Sequence, residues 1–305
     1  MSVQVPVPAR PHPSPPVPRR GRASPVPAVL PILCLALALA PARAQDLRSL
    51  TVSRQLHGET LLRATIALAA GDLTLQPAAT GTLYAVELAW DQARFRPRAS
   101  YDAPNSLLGV GIERREEGGI QLASTPELDQ RAAVGLSPAA ELELDVAVRA
   151  GNADVELGGL RVRSLRFRAE AGRAVVRWSR PNAGACSRAE FTAEAAELRL
   201  QGLGWSGCRA LRVRGGVGTI TVDLGGDWPA DAVLEADVTL GGVRLVVPRR
   251  LGVRLSVDRV AATFRPEGFV RQGDAWLSEG YDAATRKVDV RIAAKVGGVE
   301  VTRPD

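Results

Sequence analysis

Along this chain short alternating apolar runs reach a turn of small residues and resume as a second alternating run. The clear copies are LRATIALAAGDLTL (62–75), LELDVAVRAGNADVEL (142–157), LRFRAEAGRAVVRW (165–178), LRVRGGVGTITVDL (211–224), LEADVTLGGVRLVV (234–247) and VDVRIAAKVGGVEV (288–301). AEFTAEAAELRL (189–200) is a weaker copy with alanine in the glycine place. The period is two: Leu142, Leu144, Val146 and Val148 alternate with Glu141, Glu143, Asp145 and Ala147. A strand of that pattern shows one face to a core and the other to water. The one stretch with helical spacing, around Glu127–Ala140, is broken by Gly135 and Pro138, so an all-β protein is predicted.

Spacing narrows the architecture. With Leu144, Leu165, Ala189, Leu211, Leu234 and Leu255 as equivalent marks, the steps are 21, 24, 22, 23 and 21 residues. Regular steps of this size, each holding two or three strands, predict a β-solenoid whose coils stack about 4.8 Å apart. Gly151, Gly172, Gly215, Gly216, Gly241, Gly242, Gly297 and Gly298 would then form the corners, where a side chain would crowd the next coil. The rival reading makes each copy a hairpin of a sandwich or barrel with Gly-Gly at its tip. Residues 45–135 read as a less regular β lobe with a hairpin tip at Arg114–Gly119, and 136–305 as the repetitive domain. Residues 265–287 interrupt the repeat before its last copy, as an excursion or a terminal cap.

The first 44 residues stand apart. Residues 1–27 are proline-rich with four arginines and no acid, Ala28–Ala40 is apolar, and Pro41-Ala42-Arg43-Ala44 places small residues at the minus-three and minus-one positions. That order is a secretory signal peptide with cleavage before Gln45. Its apolar run, about 20 Å long as a helix, is short for a membrane span of roughly 30 Å. Cys34 follows the bulky Leu33, which disfavours lipidation. The formal charge of +6 comes from 39 basic and 33 acidic residues; without the five leader arginines the balance is 34 against 33, a net of +1. No basic block with interleaved aromatics remains, which argues against a nucleic-acid partner. A periplasmic or extracellular protein is expected.

Chemistry-bearing residues are few. His57 is the one histidine left after cleavage, so a nucleophile–histidine arrangement would have to be built on it. One histidine and two cysteines do not make a zinc site of the usual kind, and the Gly-x-Gly pairs at 109, 202 and 216 do not extend to a phosphate-binding fingerprint. No metal, cofactor or catalytic residue is assigned. Cys186 and Cys208 are separated by 22 residues, one repeat, which would set them on adjacent coils within disulfide reach. Trp205, in the glycine-bounded loop before Cys208, and Trp228, in Gly225–Pro229, both break the alternation and form a candidate contact surface; the bland alternative is that they cover the end of a β layer. Carboxylates abound on the polar phase of the strands, so a glycosidase-like acid pair is the rival to a non-catalytic role. An outer-membrane barrel would need aromatic girdles, against 4% aromatics here.

Ala70-Gly71-Asp72-Leu73-Thr74-Leu75 followed by glycine-punctuated β repeats resembles the toast-rack domain family. The closing Glu279-Gly280-Tyr281-Asp282, then Val288–Ile292 and Val296–Val301, fits that family's ending, and the resemblance covers most of residues 60–303. Such domains occur in envelope-stress regulators of the LiaF type and in adhesin-like chains. The resemblance implies a solenoid-like fold in a non-enzymatic bacterial envelope protein, and it carries over no catalytic residues. This chain departs from the membrane-bound members, which have transmembrane helices where it offers only a leader. The sequence thus points to an exported binding or structural protein, with an envelope protein or polysaccharide as candidate partner. Its alternative is a polysaccharide lyase or hydrolase on a β-helix scaffold.

Overall fold

A computed structural model describes residues 47–115 and 130–304. The signal-peptide assignment and the tip at 116–119 lie outside the described residues. Ala44–Asp305 is one compact unit. In chain order its strands are β1 (Leu47–Gln55), β2 (Leu61–Leu68), β3 (Asp72–Pro77), β4 (Thr82–Asp91), β5 (Phe95–Asp102), β6 (Leu107–Arg114), β7 (Arg131–Leu136) and β8 (Glu141–Glu156). There follow β9 (Arg161–Arg177), β10 (Arg188–Gln201), the one-turn helix α1 (Leu203–Ser206), β11 (Ala210–Asp223), β12 (Ala232–Val246) and β13 (Gly252–Pro266). The chain ends with β14 (Phe269–Gln272), β15 (Ala275–Ser278) and β16 (Lys287–Thr302).

From β8 onward each repeat copy is one long strand bent at its middle. In β8 the inward residues are Leu142, Leu144, Val146 and Val148 before the bend and Ala153 and Val155 after it, so the inward phase shifts by one residue at the corner. The two limbs enclose a shared core: Phe264, on the second limb of β13, meets Trp276, which lies across from Leu255 on the first, with ring centroids 5.4 Å apart. Burying one such leucine or phenylalanine contributes roughly 1.5–3 kcal/mol. The corner residue of β8 is Gly151, at φ +131°; a Cβ there would fall on the Gly71 carbonyl oxygen of the neighbouring coil, so two constraints select glycine. In β11 the corner is Gly218 rather than the expected Gly215 and Gly216, of which Gly215 instead leaves room for Ile220 across the core.

Long strands β8 to β12 stack parallel and in register, as the solenoid reading predicts. Leu144, Leu165, Ala189, Leu211 and Leu234 form one transverse row. The row then departs from sequence order. β16 pairs with both β12 and β13, so Val290 stands between Leu234 and Leu255. The interrupting segment supplies the hairpin β14–β15, of which β15 pairs with β13 at Arg254 and Leu255.

The stack also begins earlier than the repetitive domain as read from sequence. β2 and β3 pair in parallel with the two limbs of β8, so Leu61–Pro77 is itself a bent coil. Beyond it the limbs separate: β6 and β5 continue one, and β7, β4 and β1 continue the other.

Candidate functional site

Cys186 and Cys208 are bonded, with α-carbons 4.4 Å apart. They precede β10 and β11 by two residues, and Arg188 pairs with Ala210, so the cysteines share the strand register. The bridge clamps two neighbouring coils at the end opposite their corners. Both sulfurs belong to buried residues, and the bond is structural.

The tryptophans do not form an exposed pair. Trp228 is 7% exposed and its Nε1 donates to the Leu224 carbonyl at 3.0 Å. Trp205 is half-buried against the core and lies over Gly226 of the next coil. The helix α1 that carries it is a single turn between Gly202 and Gly207, both left-handed. Indole area is removed from water where the limbs end, and the buried N–H takes a backbone acceptor. These residues close the end of the β layer. His57 is exposed, and its backbone N–H donates to Glu59 Oε2 at 2.6 Å. That bond, followed by one from Glu59's own backbone N–H and then by the Arg54 side chain, holds the Glu59 carboxyl below its usual range against the opposing effect of burial.

On the outer face the stack carries a row of alternating charge: Asp145, Arg166, Glu190, Arg212, Glu235 and Arg291, one per coil. Arg166 reaches Asp145 at 3.4 Å and Glu190 at 3.7 Å; Glu235 reaches Arg212 at 2.5 Å and Arg291 at 3.8 Å. Hydrogen bonding from Arg212 holds the Glu235 carboxyl below its usual value. On the second limb, Arg199 and then Arg173 do the same to Glu197. Exposed pairs of this kind stabilise little one by one. The signal was in the sequence: up to Glu235 these positions follow the same 21, 24, 22 and 23 steps, with the sign changing each time.

A cleft of about 770 Å³ opens on the first limb near the N-terminal end of the stack. Arg114, Arg115, Arg149 and Arg168 line it, with Glu113 and Glu170. Glu113 faces Arg96 at 2.9 Å and Arg98 at 3.9 Å, and Glu170 faces Arg149 at 3.7 Å. Its lining arginines outnumber its carboxylates four to two, a residue set suited to carboxylate, sulfate or phosphate oxygens. The sequence reading missed this cleft, because Arg114 and Arg168 are distant in the chain and come to line one cleft only through the β6–β2–β8–β9 order.

No curated protein matches the sequence. Among solved structures, the chain is similar to a "putative cell adhesion protein" of Clostridium sporogenes, at 12% identity and a TM-score of 0.42, over 85% of this chain and 100% of that one. It is also similar to a "putative adhesin" of Bacteroides fragilis, at 10% identity and a TM-score of 0.38, over 84% and 97%. A "putative lipid binding protein" of Parabacteroides distasonis matches at 9% identity and a TM-score of 0.33, over 85% and 98%. The family model for the N-terminal domain of toast_rack, DUF2154, matches the segment that runs from before β1 through β9 into the loop before Cys186. Residues 43–183 of this chain belong to the toast-rack N-terminal domain family.

Proposed function

We propose that this protein is exported and acts without catalysis at the bacterial envelope, as an adhesin-like or envelope-stress-associated binder that holds an acidic polysaccharide in its arginine-lined cleft. The cleft carries the reading: four arginines line it, and both of its carboxylates are engaged by arginines. Glycosidic cleavage by the usual route needs two carboxyls flanking the bond, one of them able to give a proton. Along the outer face Glu197 and Glu235 have their pKa lowered by arginine hydrogen bonds, the opposite of what a proton donor requires. The Cys186–Cys208 bond supports an oxidising compartment, and toast-rack membership supports the envelope.

The experiment combines binding and turnover. Polygalacturonate, as an acidic polysaccharide probe, should be retained by the protein at low salt and lost on replacing Arg149 and Arg168 together with alanine. No reducing ends or unsaturated products should appear. Product release by the wild type would overturn the non-catalytic reading, and retention unchanged in the double variant would remove the cleft. Mass analysis of the exported protein should give Gln45 as its first residue.

A further inference from the structure

The last coil of the stack ends in an unusual edge. β13 pairs with β16 along its whole length, from Gly252 to Pro266. On its other side β15 pairs only with Arg254 and Leu255. Among the described residues, 256–266 therefore present an open strand edge, and that edge is bent. The corner lies between Ala261 and Ala262, which pair with Val296 and the corner residue Gly297. The hairpin covers the surplus of the longer limb, leaving residues 256–261 before the corner and 262–266 after it. Open edges of this kind are templates for another strand, and proteins that leave them bare commonly use them.

We propose that this edge pairs with the same edge of a second copy, antiparallel across a two-fold axis through the corner. Geometry selects the register. Before the corner the inward residues are Val253, Leu255 and Val257; after it they are Ala262 and Phe264, so inward positions change parity. An antiparallel copy must set inward against inward, or the core of one molecule faces the water side of the other. Setting Ala261 opposite Ala262 of the second copy satisfies this on both limbs and brings the two bends into line. Val257 then lies opposite Pro266, and Asp258 opposite Arg265.

Charge selects the same register. Asp258 and Arg265 are both exposed and outward, and the two-fold makes their opposition happen twice. A shift of two residues in one direction sets Asp258 against Thr263; in the other it sets Asp258 against Glu267. Arg259 guards the edge within one chain, with Nη1 donating to the Ala262 carbonyl at 3.3 Å and the guanidinium 5.9 Å from the Phe264 ring. In the paired register Arg259 faces Phe264 of the second copy, so the ring contact re-forms across the interface.

An apolar ridge leads to the same place. Val217, Leu240 and Val296 stack on one another along the corner at 54%, 46% and 45% exposure, and Val260 beside them is 85% exposed. The two-fold continues this ridge from one molecule into the next. At the other end of the stack the edge is divided between β1 and β5, and β5 carries Pro97 between Arg96 and Arg98. That end offers no single bent edge, so head-to-tail growth is disfavoured and the pairing closes at two.

The test is the oligomeric state of the chain as its host produces it, by sedimentation over roughly 1–200 µM, where a small edge-to-edge interface associates. A concentration-dependent dimer is expected. Asp258→Arg and Arg265→Asp should each weaken it by about 10-fold or more, through like charges opposed twice. The double variant carrying both changes restores the opposition and should regain the dimer. In a mixture, chains bearing Ala261→Cys should cross-link to chains bearing Ala262→Cys. A monomer throughout, a dimer indifferent to both reversals, a double variant as weak as the singles, or assembly beyond two would each overturn the proposal. Unchanged circular dichroism and melting temperature of the single variants show that the fold is intact.

Discussion

Gly241 sits against the carbonyl oxygen of Gly218 on the coil before it, at φ +144°, with no space for a Cβ. Pairs of this kind recur along the corner, from Gly71 and Gly151 to Gly241 and Gly297, and they set how closely successive bends nest. The bend is thus a backbone-to-backbone contact, made by the absence of side chains.

Replacing Gly241 with alanine should destabilise the fold by about 2–4 kcal/mol, combining a strained φ with a steric clash. Ala196 occupies the same row beside Gly172 and carries its methyl without a positive φ. Ala196→Gly should cost only about 0.5–1 kcal/mol, from backbone entropy. Urea unfolding of the two variants measures the difference.

Breaking the Cys186–Cys208 bond with the double serine variant should cost about 3 kcal/mol, the loop-closure value for a link of this span. Reduction of the wild type should lower its melting temperature by a similar amount. Peptide mapping without reductant should recover the linked pair.

Trp228→Ala should destabilise by about 3–5 kcal/mol, since it empties a buried site and strips the Leu224 carbonyl of a donor. Trp228→Phe keeps most of the packing and should cost less. Alanine at the half-buried Trp205 should fall between these two, as read by thermal unfolding.

Stability should be level above about pH 5 and decline on acidification. The Glu197 and Glu235 carboxyls have folded pKa values lowered from the ordinary 4.5 by their arginine partners. Their contribution is complete above the unfolded value and is lost as pH falls through the folded one. Glu197→Gln with Glu235→Gln should lower the plateau slightly and remove the same small amount from the acid limb, as these are exposed pairs. The midpoint of urea unfolding, followed from pH 7 to pH 3, gives the slope.

The sequence made the coil visible because its determinants are local. The pleat forces alternation, so Leu142–Val148 reads as a strand without knowledge of its neighbours. A corner that excludes a Cβ writes glycine into most copies, and the coil length then fixes the 22-residue spacing that brings Cys186 over Cys208. The cleft was not legible, since Arg114 and Arg168 come to line it only once β2 and β8 stand between their strands.

By itself, then, the sequence determined the alternating strands, their inward faces, most of the corners and the register from Leu144 to Leu234. The order at the C-terminal end was decided by tertiary packing. β16 places Gly297 beside Gly241, whose carbonyl oxygen leaves no side-chain space there, and β13, with Ala262 at the same level, takes the outermost position. Alternation is the same for every coil and does not say which strand lies next to which. Exposure follows from that order: Trp228 is buried because the coil ends close over it, and β13 keeps a free edge because no described strand continues the stack beyond residue 255. Period and spacing are properties of one strand, whereas burial and edges belong to the pair.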